Sequence, residues 1–242
     1  METVDDLVAR DRRSEATALS VAGGATYDYH RFLTTAWKTG NFLRHHGVRE
    51  GATVAAADDR ASQPLLTFLG TAMLGGVTRF VDPAESHDDA QAVVYPATDA
   101  DAAEVPPGTN RIGYGDEPDD PAVAHFGRDV WSENPSFPPV ERDPDSPVLA
   151  ADGATYSHRD LLSAAEAVVE DHDLNAEDRV ALRTPLAHPG TVVAGVVAPL
   201  LAGAAIVLPD ADSPDADAAG TVAVTAGDAP EPRRIDPDDA AP

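Results

Sequence analysis

Apolar positions along the chain follow two rhythms that alternate. At helical spacing come Phe32, Leu33, Ala36, Gly40 and Leu43, with Asp28 placed to accept from free N–H groups at the start and Gly47 placed to end the run. A second such set is Leu161, Leu162, Ala165, Val168 and Val169, preceded by Ser157 with Asp160 three residues on, the spacing of a capping box. Between and after these helices lie short apolar runs bounded by Gly, Pro and Asp, at residues 53–57, 77–81, 91–95, 179–183, 204–208 and 221–225. Runs of this length read as strands, and strands that alternate with helices pair in parallel through right-handed crossovers. The pattern predicts an α/β protein with mainly parallel sheets.

The pattern is written twice. A shift of 129 positions lays TALSVAGGATY at residues 17–27 on SPVLAADGATY at residues 146–156, with the GATY tetrapeptide identical. The sequence therefore divides into a first α/β unit at 1–97, an Asp- and Pro-rich linker at 98–145, a second α/β unit at 146–226 and an acidic tail at 227–242, which reads as disordered. Two islands in the linker, RIGYG from Arg111 and VWSENPSFPP from Val130, are apolar enough to dock on the body of the protein.

Residues 191–208 carry no charge and reach the length of a membrane span, but Pro199 interrupts them, and Gly195 and Gly203 fit a buried helix followed by a strand. Neither a membrane span nor an apolar N-terminal signal region is expected, and the default location is the cytoplasm. The formal net charge of −25 opposes binding to nucleic acid or anionic membranes. Acidic composition of this kind resembles proteins of extreme halophiles, whose charge repulsion is screened over about 3 Å in molar salt. With no cysteine, disulfides, thiolate nucleophiles and Cys-based metal sites are excluded.

Chemistry-bearing motifs are sparse. The 17 basic residues include a single lysine, Lys38, within the first helical pattern. His30, His45, His46, His87, His125, His158 and His172 lack metal-ligand spacing and read as surface or capping residues. The pairs Asp58-Asp59, Asp88-Asp89 and Asp119-Asp120 read mostly as solvated surface. Asp152-Gly153 has two readings: a hairpin turn, as Gly23-Gly24 would be in the first unit, or an anion site with Thr155 and Ser157 at the following helix start.

Residues 141–209, ERDPDSPVLAADGATYSHRDLL and then RVALRTPLAHPGTVVAGVVAPLLAGAAIVLP, resemble adenylate-forming enzymes: acyl-CoA synthetases, non-ribosomal adenylation domains and luciferases. The N-terminal unit resembles that family's opening segment, so the implied architecture is the front part of the family's large domain. In the family a Ser-, Thr- and Gly-rich loop ending Pro-Lys-Gly holds ATP phosphates; here ADGAT, from Ala151 to Thr155, stands in its place. With Lys38 the sole lysine, neither the loop lysine nor the family's C-terminal adenylation lysine has a counterpart, and the adenine-, magnesium- and ribose-binding segments and the lid domain have none either. The resemblance also gives His188, in PLAHPG, two readings: a gate of the acyl pocket or a structural residue at a helix start.

These readings imply a non-catalytic relative of acyl-CoA synthetases, a pseudoenzyme acting as scaffold or interaction protein, with no cofactor or metal and with a homodimer or a dedicated protein as partner. The alternative is a synthetase-like ligase or ligand-binding protein that takes ATP, AMP or CoA at Asp152, Gly153, Thr155, Ser157 and His188 and needs a separate partner for activity. Truncation predicts exposed apolar faces on the second helix of each unit, at Leu65, Leu66, Leu69 and Met73 and at Val192, Val193, Val196 and Val197.

Overall fold

The computed structural model describes residues 1–85, 89–136, 142–210 and 219–242. His87 and Asp88, and the end of the Val130 island, lie outside the described residues. The first unit opens with a hairpin, β1 (Thr17–Val21) and β2 (Thr26–Asp28), and continues through α1 (Tyr29–His45), β3 (Thr53–Ala57), α2 (Ser62–Ala72), β4 (Val77–Val81) and β5 (Ala90–Pro96). The Asp28 carboxylate accepts the Arg31 N–H at 2.6 Å and so caps α1 where the spacing placed the cap. After α3 (Ala97–Ala102), β6 (Asn110–Tyr114), β7 (Ala124–His125) and α4 (Phe126–Ser132), the second unit opens with the hairpin β8 (Pro147–Ala151) and β9 (Ala154–Ser157). It continues through α5 (His158–Asp171), β10 (Arg179–Leu182), α6 (Pro189–Val192), α7 (Ala198–Ala202), β11 (Ala205–Leu208), β12 (Val222–Val224) and β13 (Arg233–Ile235).

Two mainly parallel sheets result. Their composition shows that the units interlock. The six-stranded sheet runs β13-β12-β10-β11-β1-β2, and the seven-stranded sheet runs β7-β6-β5-β3-β4-β8-β9. Each opening hairpin thus extends the sheet of the opposite unit: Leu19 pairs with Ile206 on β11, and Leu149 pairs with Thr78 on β4. Tyr29 ties the exchange by donating its hydroxyl to the Ala204 carbonyl at 2.7 Å. The division at 1–97 and 146–226 describes the repeat in sequence, but neither stretch builds a sheet from its own strands alone.

The stretch expected as a linker is largely built into the body. Residues 110–114 form a full strand paired with β5, because Ile112 and Tyr114 supply buried apolar faces, whereas of the second island Val130 is buried and Trp131 beside it stays exposed. The tail expected to be disordered is folded. Ile235 and Ala240 are buried, β13 pairs in parallel with β12, and Arg233 binds the Asp178 carboxylate at 2.8 Å. An apolar anchor and specific ion pairs outweigh the acidic composition.

The second-helix faces expected to be exposed are covered by the chain itself. Leu65, Leu66, Leu69 and Met73, and Val192, Val193, Val196 and Val197, are at most 2% exposed. They are buried because α2 packs on α1 and α5 packs on the α6–α7 segment. That segment is interrupted by a π turn at Val193–Val197, which ends one residue short of Pro199, a residue with no N–H to give to the ladder. Among the described residues no helix is long and apolar enough to cross a membrane. The uncharged run at 191–208 is instead a broken buried helix and a central strand.

Candidate functional site

In open parallel α/β sheets ligands bind beyond the carboxyl ends of the strands, where loops converge on a rigid frame. Here the carboxyl ends of β3, β10 and β11 face one another and enclose a cleft of about 280 Å³, lined by Asp58, Asp59, Arg60, Leu182, Arg183, Thr184, Pro185, Leu186 and Leu208. The Asp58-Asp59 pair expected on solvated surface is half-buried at this junction, because β3 ends there.

The charged groups of the cleft are engaged with backbone, with the Tyr114 hydroxyl and with Glu231. The Asp58 carboxylate accepts the N–H groups of Leu186 and Ala187 at 2.7 and 3.1 Å, pinning the loop after β10. Asp59 accepts the Tyr114 hydroxyl at 2.9 Å. Burial, and then the Asp59 charge, hold the Tyr114 phenol far above its ordinary range, so it stays a neutral donor. Arg60 donates to the Arg183 and Pro209 carbonyls at 3.3 and 3.4 Å, and Arg183 makes a two-bond pair with Glu231. The cleft therefore holds the two sheets together. It contains no nucleophile poised against a base, and no group of three or more metal-ligating side chains occurs among the described residues.

None of the five candidate residues lines this cleft. Asp152 and Gly153 form the two-residue turn between β8 and β9, with φ of 52° and 75°, the mirror-image backbone that two-residue hairpins favour. Thr155 stands exposed on β9. Ser157 caps α5: its hydroxyl accepts the Asp160 N–H at 3.1 Å while the Asp160 carboxylate accepts the Ser157 N–H at 2.8 Å. These four share one hairpin on the edge of the seven-stranded sheet.

His188 lies apart, in the loop after β10 of the six-stranded sheet, at the start of α6. Its Nδ1 accepts the Gly190 N–H at 3.2 Å and its Nε2 lies 3.0 Å from the Asp238 carboxylate, so the folded tail sits on it. The structural reading of a helix-start histidine fits this geometry. Sequence reasoning missed the tail's part in the site. The apolar Ile235 among acidic residues was the signal that could have found it.

His125 caps α4 by accepting the Arg128 N–H at 3.0 Å. His158, expected at the surface or in a cap, is fully buried instead, because the N-terminal turn at Val4–Val8 closes over α5 and the Val4 N–H donates to its Nδ1 at 3.0 Å. Burial, reinforced by the Arg142 charge, pulls the His158 pKa down to about 4.

No protein-family model and no curated protein matches the chain. Solved structures do. The fold is similar to a benzoate CoA ligase from Burkholderia xenovorans LB400, with a TM-score of 0.76 and 19% identity over 93% of this chain and 50% of that one. It is similar to the anthranilate CoA ligase AuaEII, solved with anthranoyl-AMP, at a TM-score of 0.74 and 16% identity over 86% of this chain and 45% of that one. Apo MatB from Rhodopseudomonas palustris matches at 0.72 and 19% over 92% and 49%. The chain thus has the fold of adenylate-forming enzymes and spans about half the length of these proteins.

Proposed function

We propose that the chain is a non-catalytic relative of the acyl-CoA ligases whose fold it shares, acting as a scaffold or interaction protein. One observation carries this reading: at the position where the resemblance places a phosphate-holding loop, β8 passes into β9 through only Asp152 and Gly153. Two residues leave no room for a row of backbone N–H groups around a phosphate chain, and the Asp152 carboxylate would repel one. The engagement of Asp58 and Arg60 in ties between the sheets, and of Arg183 with Glu231 within one sheet, supports the same reading.

A second reading, a nucleotide- or CoA-binding protein completed by a separate partner, draws on the cleft at the carboxyl ends of the strands. Thermal shift in high salt with MgATP, AMP and CoA separates the two. A ligand at 100 times its dissociation constant adds about 2.7 kcal/mol to stability. The scaffold reading expects no shift with any of the three that depends on Arg60. A shift that Arg60→Ala abolishes supports the second reading.

A further inference from the structure

α1 and α4 form walls of a groove of about 630 Å³ that shares no lining residue with the cleft, although Gln63, on the groove, follows Arg60 of the cleft by three positions. Arg31 and Lys38 are seven residues apart on α1, two helical turns, and so project from one face about 10 Å from each other. Each is matched with an aromatic ring. The Arg31 guanidinium sits 4.6 Å from the centroid of Tyr27, and the Lys38 ammonium sits 5.0 Å from that of Trp131 while donating to the Trp131 carbonyl at 2.6 Å. Leu66 and Phe126 add apolar lining. Among the described residues no Asp or Glu lines the groove, although the chain carries 42 acidic residues. Asp28, beside Tyr27 in sequence, has its carboxylate engaged by the Arg31 backbone N–H.

The Trp131 indole is 80% exposed, the most exposed large apolar side chain among the described residues. An aromatic wall left in water beside a cation is an arrangement on which a flat ring stacks while its charge is neutralised. An ammonium has three N–H donors, and the Trp131 carbonyl takes one, leaving others for a ligand. The volume is that of a small-molecule site.

We propose that this groove binds a small amphipathic anion, a flat aromatic body bearing a carboxylate or phosphate, with Trp131 stacking on the body and Lys38 and Arg31 binding the charged head. The site is separate from the cleft and does not depend on the scaffold reading. A shift with a nucleotide that Lys38→Met removes belongs to the groove, and one that survives Lys38→Met does not.

The test titrates the full chain, in salt sufficient to keep it folded, with 2-naphthoate and with 1-naphthyl phosphate, following tryptophan emission. Saturable change with either acid is expected, the tighter of the two naming the head group. Lys38→Met should weaken binding about tenfold and Lys38→Arg should largely restore it, as expected for a charge-assisted contact. Neutral 2-naphthylmethanol should bind about tenfold more weakly than the acids. No saturable binding by either acid would overturn the proposal. So would equal binding by the neutral alcohol, or unchanged affinity in a Lys38→Met variant that melts as wild type does, which would leave Lys38 as a clamp between α1 and α4.

Discussion

Arg183 binds Glu231 through two N–H···O bonds of 2.8 and 2.6 Å, with the Glu231 side chain fully buried, and this pair joins the loop after β10 to the segment leading into β13. Burial alone would raise the Glu231 carboxyl, but the Arg183 bonds outweigh it and hold the pKa below the ordinary value. Removing one partner of such a pair strands a buried charge. Glu231→Ala should cost about 3–5 kcal/mol in denaturant unfolding, and Arg183→Met with Glu231→Leu should recover most of that loss. Equal losses in the single and double variants would show that the pair is not what anchors the tail.

A second expectation concerns pH. His158 is neutral in the folded chain, with its pKa pulled from 6.5 down to about 4. As pH falls below 6.5 the unfolded chain takes up a proton that the folded chain refuses, so the stability His158 contributes is present above 6.5 and is lost progressively down to about 4. The shift corresponds to about 3 kcal/mol. His158→Asn keeps an acceptor for the Val4 N–H and removes the titration. The stability difference between wild type and this variant should move by about that amount between pH 7 and pH 4, in favour of the variant. A constant difference would mean that His158 titrates normally.

The tail can be dislodged at one atom. A Cβ on Gly190 would lie 1.8 Å from the Pro237 carbonyl oxygen, a backbone atom that cannot rotate away. Gly190→Ala should therefore expel residues around Pro237, break the His188–Asp238 contact and make the tail cleavable by protease, while β12 and the rest of the six-stranded sheet persist. An unchanged proteolytic pattern would show that the tail packs less closely than this geometry requires.

The helices and strands were legible because hydrophobic period decides them locally: the cap at Asp28, the capping box at Ser157 and Asp160, and all six strand segments lie where the spacing put them. The turn at Asp152-Gly153 was legible as one of two readings, since few residue pairs accept two positive φ values in succession. The exchange of hairpins was not, because Leu19 and Leu149 show the same alternation whichever sheet they join, and pairing partners are set by tertiary packing. Burial of Asp58, Asp59 and Glu231 was hidden for a related reason. In a chain this acidic, composition assigns every carboxylate to the surface, and only the loops that converge on them reveal their N–H and guanidinium partners.

Net charge gives a fourth expectation. At −25, like-charge repulsion should weaken the fold in dilute buffer, and the unfolding midpoint should rise steeply from low salt to molar KCl as the screening length falls to about 3 Å. A midpoint that stays flat across this range would remove the halophile reading. The Arg183–Glu231 pair, being buried, should contribute nearly the same at both ends.

The central claim is that the two-residue turn at Asp152 and Gly153 leaves a body with the fold of acyl-CoA ligases but without their adenylation chemistry. Its most direct test is ATP–pyrophosphate exchange in molar KCl with magnesium and a panel of aromatic and aliphatic carboxylic acids. The account predicts exchange no faster than the protein-free background for every acid. Exchange above that background, abolished by Thr155→Ala or His188→Ala, would contradict it.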